Sequence, residues 1–273
     1  MSGAPAGLVV LQDGGRDDRR GGNLLLLDQT PGREALLKVY RRRGTRRREW
    51  SKWVSYHVIE RKRGVTARER CALERANLRL WRAEGFDVPA LLERPVPAPY
   101  SSDTAQWLEW CPGRLLYELV RDPGVPLETR AREIERFAAG LSARYARALA
   151  TGAPGLVMKH ASIKHVLLHA GRQVSFDLES SHAPGVPMLD ALADELAAHL
   201  RSLLRVVPAA EREEFGARFA DAYGRPEQLA AIADFGLRRG GLHRAVRRLA
   251  DRSRRRDFSE YDALCFLEGR LRP

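Results

Sequence analysis

Cysteine is scarce in this 273-residue chain, which has only Cys71, Cys111 and Cys265. They are odd in number, far apart and without C-x-x-C spacing. That argues against a disulfide framework or a structural zinc site and fits a reducing compartment. Long apolar runs are missing as well: no window approaches the roughly 18 residues that a membrane-crossing helix needs. The opening stretch MSGAPAGLVVLQDGG lacks a basic region followed by a long apolar core, so it does not read as a secretory signal. There is no internal repeat. No G-x-S-x-G elbow marks a serine hydrolase, and nothing matches a helix-turn-helix, zinc finger or RNA-binding sheet motif. The expectation is a cytoplasmic chain, with peripheral contact to an acidic inner-membrane surface left open.

What is present is positive charge. The formal net charge is +12 and the isoelectric point is about 10.2. This balance favours an anionic partner, whether nucleic acid, an acidic membrane surface or a phosphorylated lipid, although an Arg- and Ala-rich composition also follows from a GC-rich genome. Hydrophobic residues make up 44%, enough for a real core. The length suits one two-lobed domain better than one minimal domain.

Order along the chain is informative. Gly7 to Leu11, Leu24 to Leu27 and Ala35 to Tyr40 are apolar runs separated by turn signals, which predicts a three-stranded antiparallel meander. The first turn, Asp13 to Asn23, is rich in glycine and charge. A basic run follows from Arg41 to Arg48, read as a solvated loop or an anionic-surface contact. Thr66 to Glu84 predicts a helix, with Leu73, Ala76, Leu80 and Ala83 on its apolar face and Gly85 as its stop. Val88 to Glu93 and Ala105 to Trp110 predict two more strands, and Cys111-Pro112-Gly113 breaks the chain. The expected architecture is α+β: a β-rich lobe over 1–110 and a helical lobe over 111–273. In the second lobe, helices are expected near Leu115 to Val120, Glu128 to Ala150 and Leu189 to Val207. A hairpin, Val166 to Leu168 with Gln173 to Phe176, lies between the last two, and the remainder is helical and basic.

Ala35-Leu36-Leu37-Lys38-Val39, Glu74 on the helix that follows, Gln106 to Gly113, and His160 to Leu168 with Phe176-Asp177-Leu178-Glu179 are four local patterns, and through them the chain resembles the protein-kinase-like superfamily over nearly its whole length. Within it, the chain most resembles the bacterial lipopolysaccharide kinases that act on heptose or 3-deoxy-octulosonic acid. Ala35-Leu36-Leu37-Lys38-Val39 resembles the strand whose lysine grips the nucleotide phosphates. Glu74, with Glu69 as competitor, stands where such kinases place the carboxylate partner of that lysine. Gln106 to Gly113 looks like the hinge, whose backbone near Glu109, Trp110 and Cys111 would bind adenine. His160 to Leu168, followed by Phe176-Asp177-Leu178-Glu179, resembles the catalytic loop and metal-binding turn. The resemblance implies ATP and Mg²⁺ as cofactors, with Asp177 as a metal ligand and His165 as a second ligand or a loop-orienting group. It also implies an anionic glycolipid or lipopolysaccharide core as acceptor.

The pattern departs from the family at one position. Counting back from His165 to where the catalytic aspartate belongs gives His160, and no acid lies between Pro154 and Lys164. An imidazole titrating near pH 6.5 is able to serve as general base. The departure keeps a second expectation open, a pseudokinase with a regulatory or scaffold role. A third, a basic nucleic-acid binder, draws on Arg238-Arg239, Arg247-Arg248 and Arg252 to Arg256 beside Phe258 and Tyr261. The glycine turn is not G-x-G-x-x-G and reads equally as a plain hairpin loop. His160, His165 and His169 do not have the spacing of a helical metal-ligand pair.

Overall fold

The structure is a computed structural model, and it describes residues 7–13, 22–41, 62–64, 66–238 and 258–271. Most of the glycine turn, the basic run after Arg41 and the arginines of the tail from Arg239 to Arg256 lie outside the described residues. The chain divides into two compact units. The first comprises Met1–Pro112 with Val174–Pro184, and the second Gly113–Gln173 with Gly185–Pro273. The segment Val174–Pro184, numbered within the stretch read from sequence as the helical lobe, groups with the first unit.

The first unit is built on strands β1 (Leu8–Asp13), β2 (Leu24–Asp28) and β3 (Ala35–Val39), each antiparallel to the next. A two-residue pair, β4 (Lys62–Arg63), precedes helix α1 (Ala67–Ala83). Strands β5 (Leu91–Leu92) and β6 (Ala105–Glu109) complete a five-stranded sheet in the order β1-β2-β3-β6-β5. Side chains alternate across a strand, so one face collects Leu24, Leu26, Leu37, Val39, Ala105 and Trp107 into a buried cluster. The opposite face carries the aligned row Leu25, Lys38 and Gln106. The meander is therefore as expected, but strand structure near Val88 is confined to Leu91–Leu92.

Helix α1 corrects the sequence reading in an instructive way. Thr66 caps it, its hydroxyl accepting from the Glu69 N–H at 3.1 Å. Of the face predicted to be apolar, Ala76 and Ala83 are exposed. The buried face instead carries Arg70, Cys71, Glu74, Asn77, Leu78 and Trp81. Simple apolar periodicity fails here because half of the buried face is polar. Those polar groups are buried because each has a partner.

The second unit opens with β7 (Arg114–Leu115), α2 (Leu116–Arg121) and the long α3 (Leu127–Thr151). Strand β8 (Val166–His169) pairs antiparallel with β7, and β9 (Arg172–Ser175) leads out of the unit. At Gly113 an added Cβ would stand 2.2 Å from the Leu168 carbonyl oxygen, so only glycine permits this approach of the two strands. After β10 (Ser181–His182), which pairs with β4 in the first unit, come α4 (Met188–Val206), α5 (Arg212–Tyr223), α6 (Pro226–Arg238) and α7 (Glu260–Leu271). Ile134, Phe137, Leu141 and Tyr145 of α3 are buried as predicted, whereas Leu149 is exposed. No described helix is long and apolar enough to cross a membrane. All three cysteines are free thiols, and burial pushes the Cys71 thiol up to about 11, which leaves it protonated and unreactive at neutral pH.

Candidate active site

Lys38 stands at the centre of a buried charge cluster in the first unit. Its Nζ lies 2.7 Å from a Glu74 carboxylate oxygen, 2.8 Å from Asp177 Oδ1 and 3.7 Å from Glu179. Three carboxylates around one ammonium are sustainable in low dielectric only because further donors share the load. Tyr40 donates its hydroxyl proton to Glu74, and Gln106 Nε2 donates to Tyr40 at 2.6 Å. Glu179 accepts from Arg70 at 3.1 Å and from Asn23 Nδ2 at 2.7 Å. Asn77 Nδ2 donates to the Leu178 carbonyl at 2.9 Å. Arg70, Glu74 and Asn77 are spaced i, i+4, i+7, so one stripe of α1 holds Lys38 and the 177–179 turn together. The sequence alternatives for the partner of Lys38 resolve geometrically: Glu74 makes the ion pair, while Glu69 sits in the capped first turn.

Burial alone would favour a neutral Lys38, but attraction to Asp177, Glu74 and Glu179 outweighs it and raises its pKa above the ordinary lysine value. Lys38 is thus a permanent cation at physiological pH. Burial shifts Glu74 upward, with Lys38 opposing and the neighbouring carboxylates reinforcing. Burial, followed by the Glu74 charge, raises Tyr40 and keeps it a proton donor.

Asp177 differs from its neighbours. Its side chain is 32% exposed, against 2% for Glu74 and 5% for Glu179. Its φ of +65° lies in the left-handed region, which is uncommon for a residue with a Cβ and is found where surrounding structure fixes a functional side chain. The tethering of Leu178 and Glu179 supplies that restraint. Oxygens of Glu74, Asp177 and Glu179 lie within 4.8 Å of one another, a hard all-oxygen set whose chemistry fits Mg²⁺. Glu179 is the member that sequence reasoning left out of the site, although it was visible as the third residue of Asp-Leu-Glu. Arg70 gave no local signal, because its role depends on residues more than a hundred positions away.

Of the hinge residues, Glu109 ends β6, where its N–H donates to Ala90 O at 2.8 Å and its carboxylate accepts from Ala90 N at 3.0 Å. That N–H is committed to the sheet. Trp110 is half-buried and Cys111 buried just beyond it.

His160 and His165 belong to the second unit and are held there on a braced loop. Arg144 and Glu195 form a buried pair with a contact at 3.1 Å. Glu195 also accepts from Met158 N at 2.9 Å, and Arg144 donates to Leu156 O. Lys159 meets Asp194 at 3.1 Å. On the far side of His160, Ser162 Oγ and Ser202 Oγ are 2.7 Å apart, and Ile163 N donates to Ser202 Oγ at 3.2 Å. Helix α4 therefore anchors the chain on both sides of His160, which is exposed, and His165 ends the short 3₁₀ turn Ile163–His165. Despite its burial, Glu195 is held below the ordinary carboxylate value by the Arg144 charge. Burial depresses His199, with Glu195 opposing.

A strand lysine paired with a helix glutamate, and an Asp-Leu-Glu turn on the same lysine, are the local arrangement that the sequence resemblance implies, and the antiparallel sheet followed by helices is the expected α+β class. No protein-family description matches the chain, and no curated protein does. Among solved structures, the chain is similar to one described as WaaP in complex with acyl carrier protein. The identity is 15%, covering 96% of this chain and 86% of that one, with a TM-score of 0.45.

Proposed function

We propose that this protein is an ATP-dependent phosphotransferase whose acceptor is a sugar hydroxyl of a lipopolysaccharide core or a similar glycolipid. The observation that carries the reading is the Lys38 ammonium, buried and held between Glu74 and Asp177 at 2.7 and 2.8 Å. In this reading Lys38 binds the nucleotide phosphates and Glu74 fixes its direction. Asp177, backed by Glu179, is the carboxylate that would hold Mg²⁺, a cation that would neutralise charge on the phosphates. Trp110 and Cys111, with the Glu109 carbonyl side of the hinge, are assigned to adenine. His165 is assigned to the metal or to loop orientation.

The acceptor oxygen attacks the γ-phosphorus, the bond to the β,γ-bridging oxygen breaks, and ADP departs with that electron pair. The acceptor proton passes to His160 in this scheme. Phosphoryl transfer depends more on positioning and charge neutralisation than on a strong base, so an imidazole suffices. The net charge of +12 favours an anionic acceptor and contact with an acidic membrane surface.

A second reading, a pseudokinase, is favoured by one feature: no acid lies between Pro154 and Lys164. Radiolabelled ATP with Mg²⁺ and isolated core oligosaccharide separates the two. Label reaching the sugar, and lost in His160→Ala with ATP binding intact, supports the transferase. ATP binding with no transfer to any core acceptor refutes it in favour of the pseudokinase. Nucleic acid is not expected as a partner.

A further inference from the structure

Helix α1 presents a second stripe that the site above does not use. Arg75, Arg79 and Arg82 recur at i, i+4, i+7, roughly 140° around the helix from Arg70, Glu74 and Asn77 at 100° per residue. These three arginines line a cavity of about 530 Å³ in the first unit, together with Arg94. Its floor is apolar, formed by Leu78, Leu91, Leu92, Val96, Ala105 and Trp107. Neither Lys38, Glu74 nor Asp177 lines it.

Among the described residues, Arg75, Arg79 and Arg82 are not consumed by ion pairs. Arg75 donates to the Ser102 carbonyl at 3.1 Å, a neutral partner. Among the described residues, Arg79 and Arg82 have no carboxylate partner, and both side chains are exposed. Arg94 pairs with Asp28 at 3.3 Å while its guanidinium stacks 5.7 Å from the Trp107 ring. One acid, Glu93, stands against four arginines in the lining. Arginines on a solvated helix normally alternate with acids that pair with them, and this stripe does not.

We infer that this cavity binds a phosphomonoester carried on an apolar body. Three guanidiniums with no carboxylate partner among the described residues match a dianion with three acceptor oxygens better than a monovalent carboxylate. The apolar floor and a volume within the small-ligand range call for more than a bare phosphate. The occupant is a small amphiphilic molecule whose phosphate meets Arg75, Arg79 and Arg82 and whose body rests on Leu92, Val96 and Trp107.

Isothermal titration calorimetry on the full chain tests this with 1-naphthyl phosphate, inorganic phosphate and 1-naphthol as probes. The expected result is that naphthyl phosphate binds at least tenfold more tightly than either of the others. Arg79→Ala/Arg82→Ala, at two exposed positions, weakens it tenfold or more with no fall in melting temperature. Equal affinity for inorganic and naphthyl phosphate would reduce the stripe to diffuse surface charge and overturn the assignment. So would binding that the double variant retains within twofold. The readout needs neither ATP nor phosphate transfer, so it stands or falls separately from the transferase reading.

Discussion

Replacing Glu179 with glutamine probes the buried network that orders the Asp177 turn. Glu179→Gln preserves shape but removes the charge facing Arg70, which is fully buried. Arg70 would keep Asn23 Oδ1 at 2.8 Å, the Arg41 carbonyl and the Tyr40 ring at 5.8 Å, but among the described residues it would lose its direct carboxylate partner. Breaking one side of a buried pair costs about 3–5 kcal/mol, and the amide that still accepts a hydrogen bond places this case near the lower limit. A loss of about 3 kcal/mol lowers Tm by roughly 6–12 °C in a domain of this size. Arg70→Met removes the other charge while filling its volume. If the two side chains act as a pair, the double variant loses less than the sum of the single losses, by about 1–3 kcal/mol in urea unfolding. Additivity within about 0.5 kcal/mol would refute the claim that Arg70 and Glu179 are coupled.

Three further outcomes follow from other parts of the molecule. His199 is buried against Phe137, with ring centroids 4.9 Å apart, and its pKa is depressed, so the fold prefers it neutral. The unfolded chain then binds the extra proton, and stability falls as pH drops below about 6.5, by at most ~1.4 kcal/mol per pH unit. His199→Phe should flatten that slope in pH-dependent melting, and an unchanged slope would assign it elsewhere. Glu195, with its lowered pKa, adds a loss that sets in only as pH falls below the ordinary glutamate range. Gly113→Ala should destabilise by more than about 1 kcal/mol, since its Cβ would strike the Leu168 carbonyl at 2.2 Å, and a neutral effect in urea unfolding would contradict the close approach of β7 and β8.

How much of this was legible in the sequence varies by element. The meander and the helices of the second unit follow from local rules, because turn residues and apolar spacing act over a few positions. Lys38, Glu74 and Asp177 were found through their motifs, and the geometry joins all three. The face of α1 was misread, because periodicity counts Ala76 and Leu80 as core and treats Arg70, Glu74 and Asn77 as surface. Their burial is set by Glu179 for Arg70, by Lys38 and Tyr40 for Glu74 and by the Leu178 carbonyl for Asn77, which no local window contains. The braces around His160 were hidden for the same reason: Arg144, Glu195 and Ser202 lie on α3 and α4, far away in sequence. The arginine stripe at 75, 79 and 82 was readable as spacing, but only the cavity beside it distinguishes it from an ordinary solvated face.

The proposed role of the Lys38–Asp177 cluster as a nucleotide–metal site is open to a thermal-shift measurement with ATP. ATP with Mg²⁺ is expected to raise Tm, ATP alone to raise it less, and Asp177→Asn to abolish the Mg²⁺-dependent part while keeping the folded state. An unchanged Tm with ATP, both with and without Mg²⁺, or a Mg²⁺ dependence that survives in Asp177→Asn, would contradict that role.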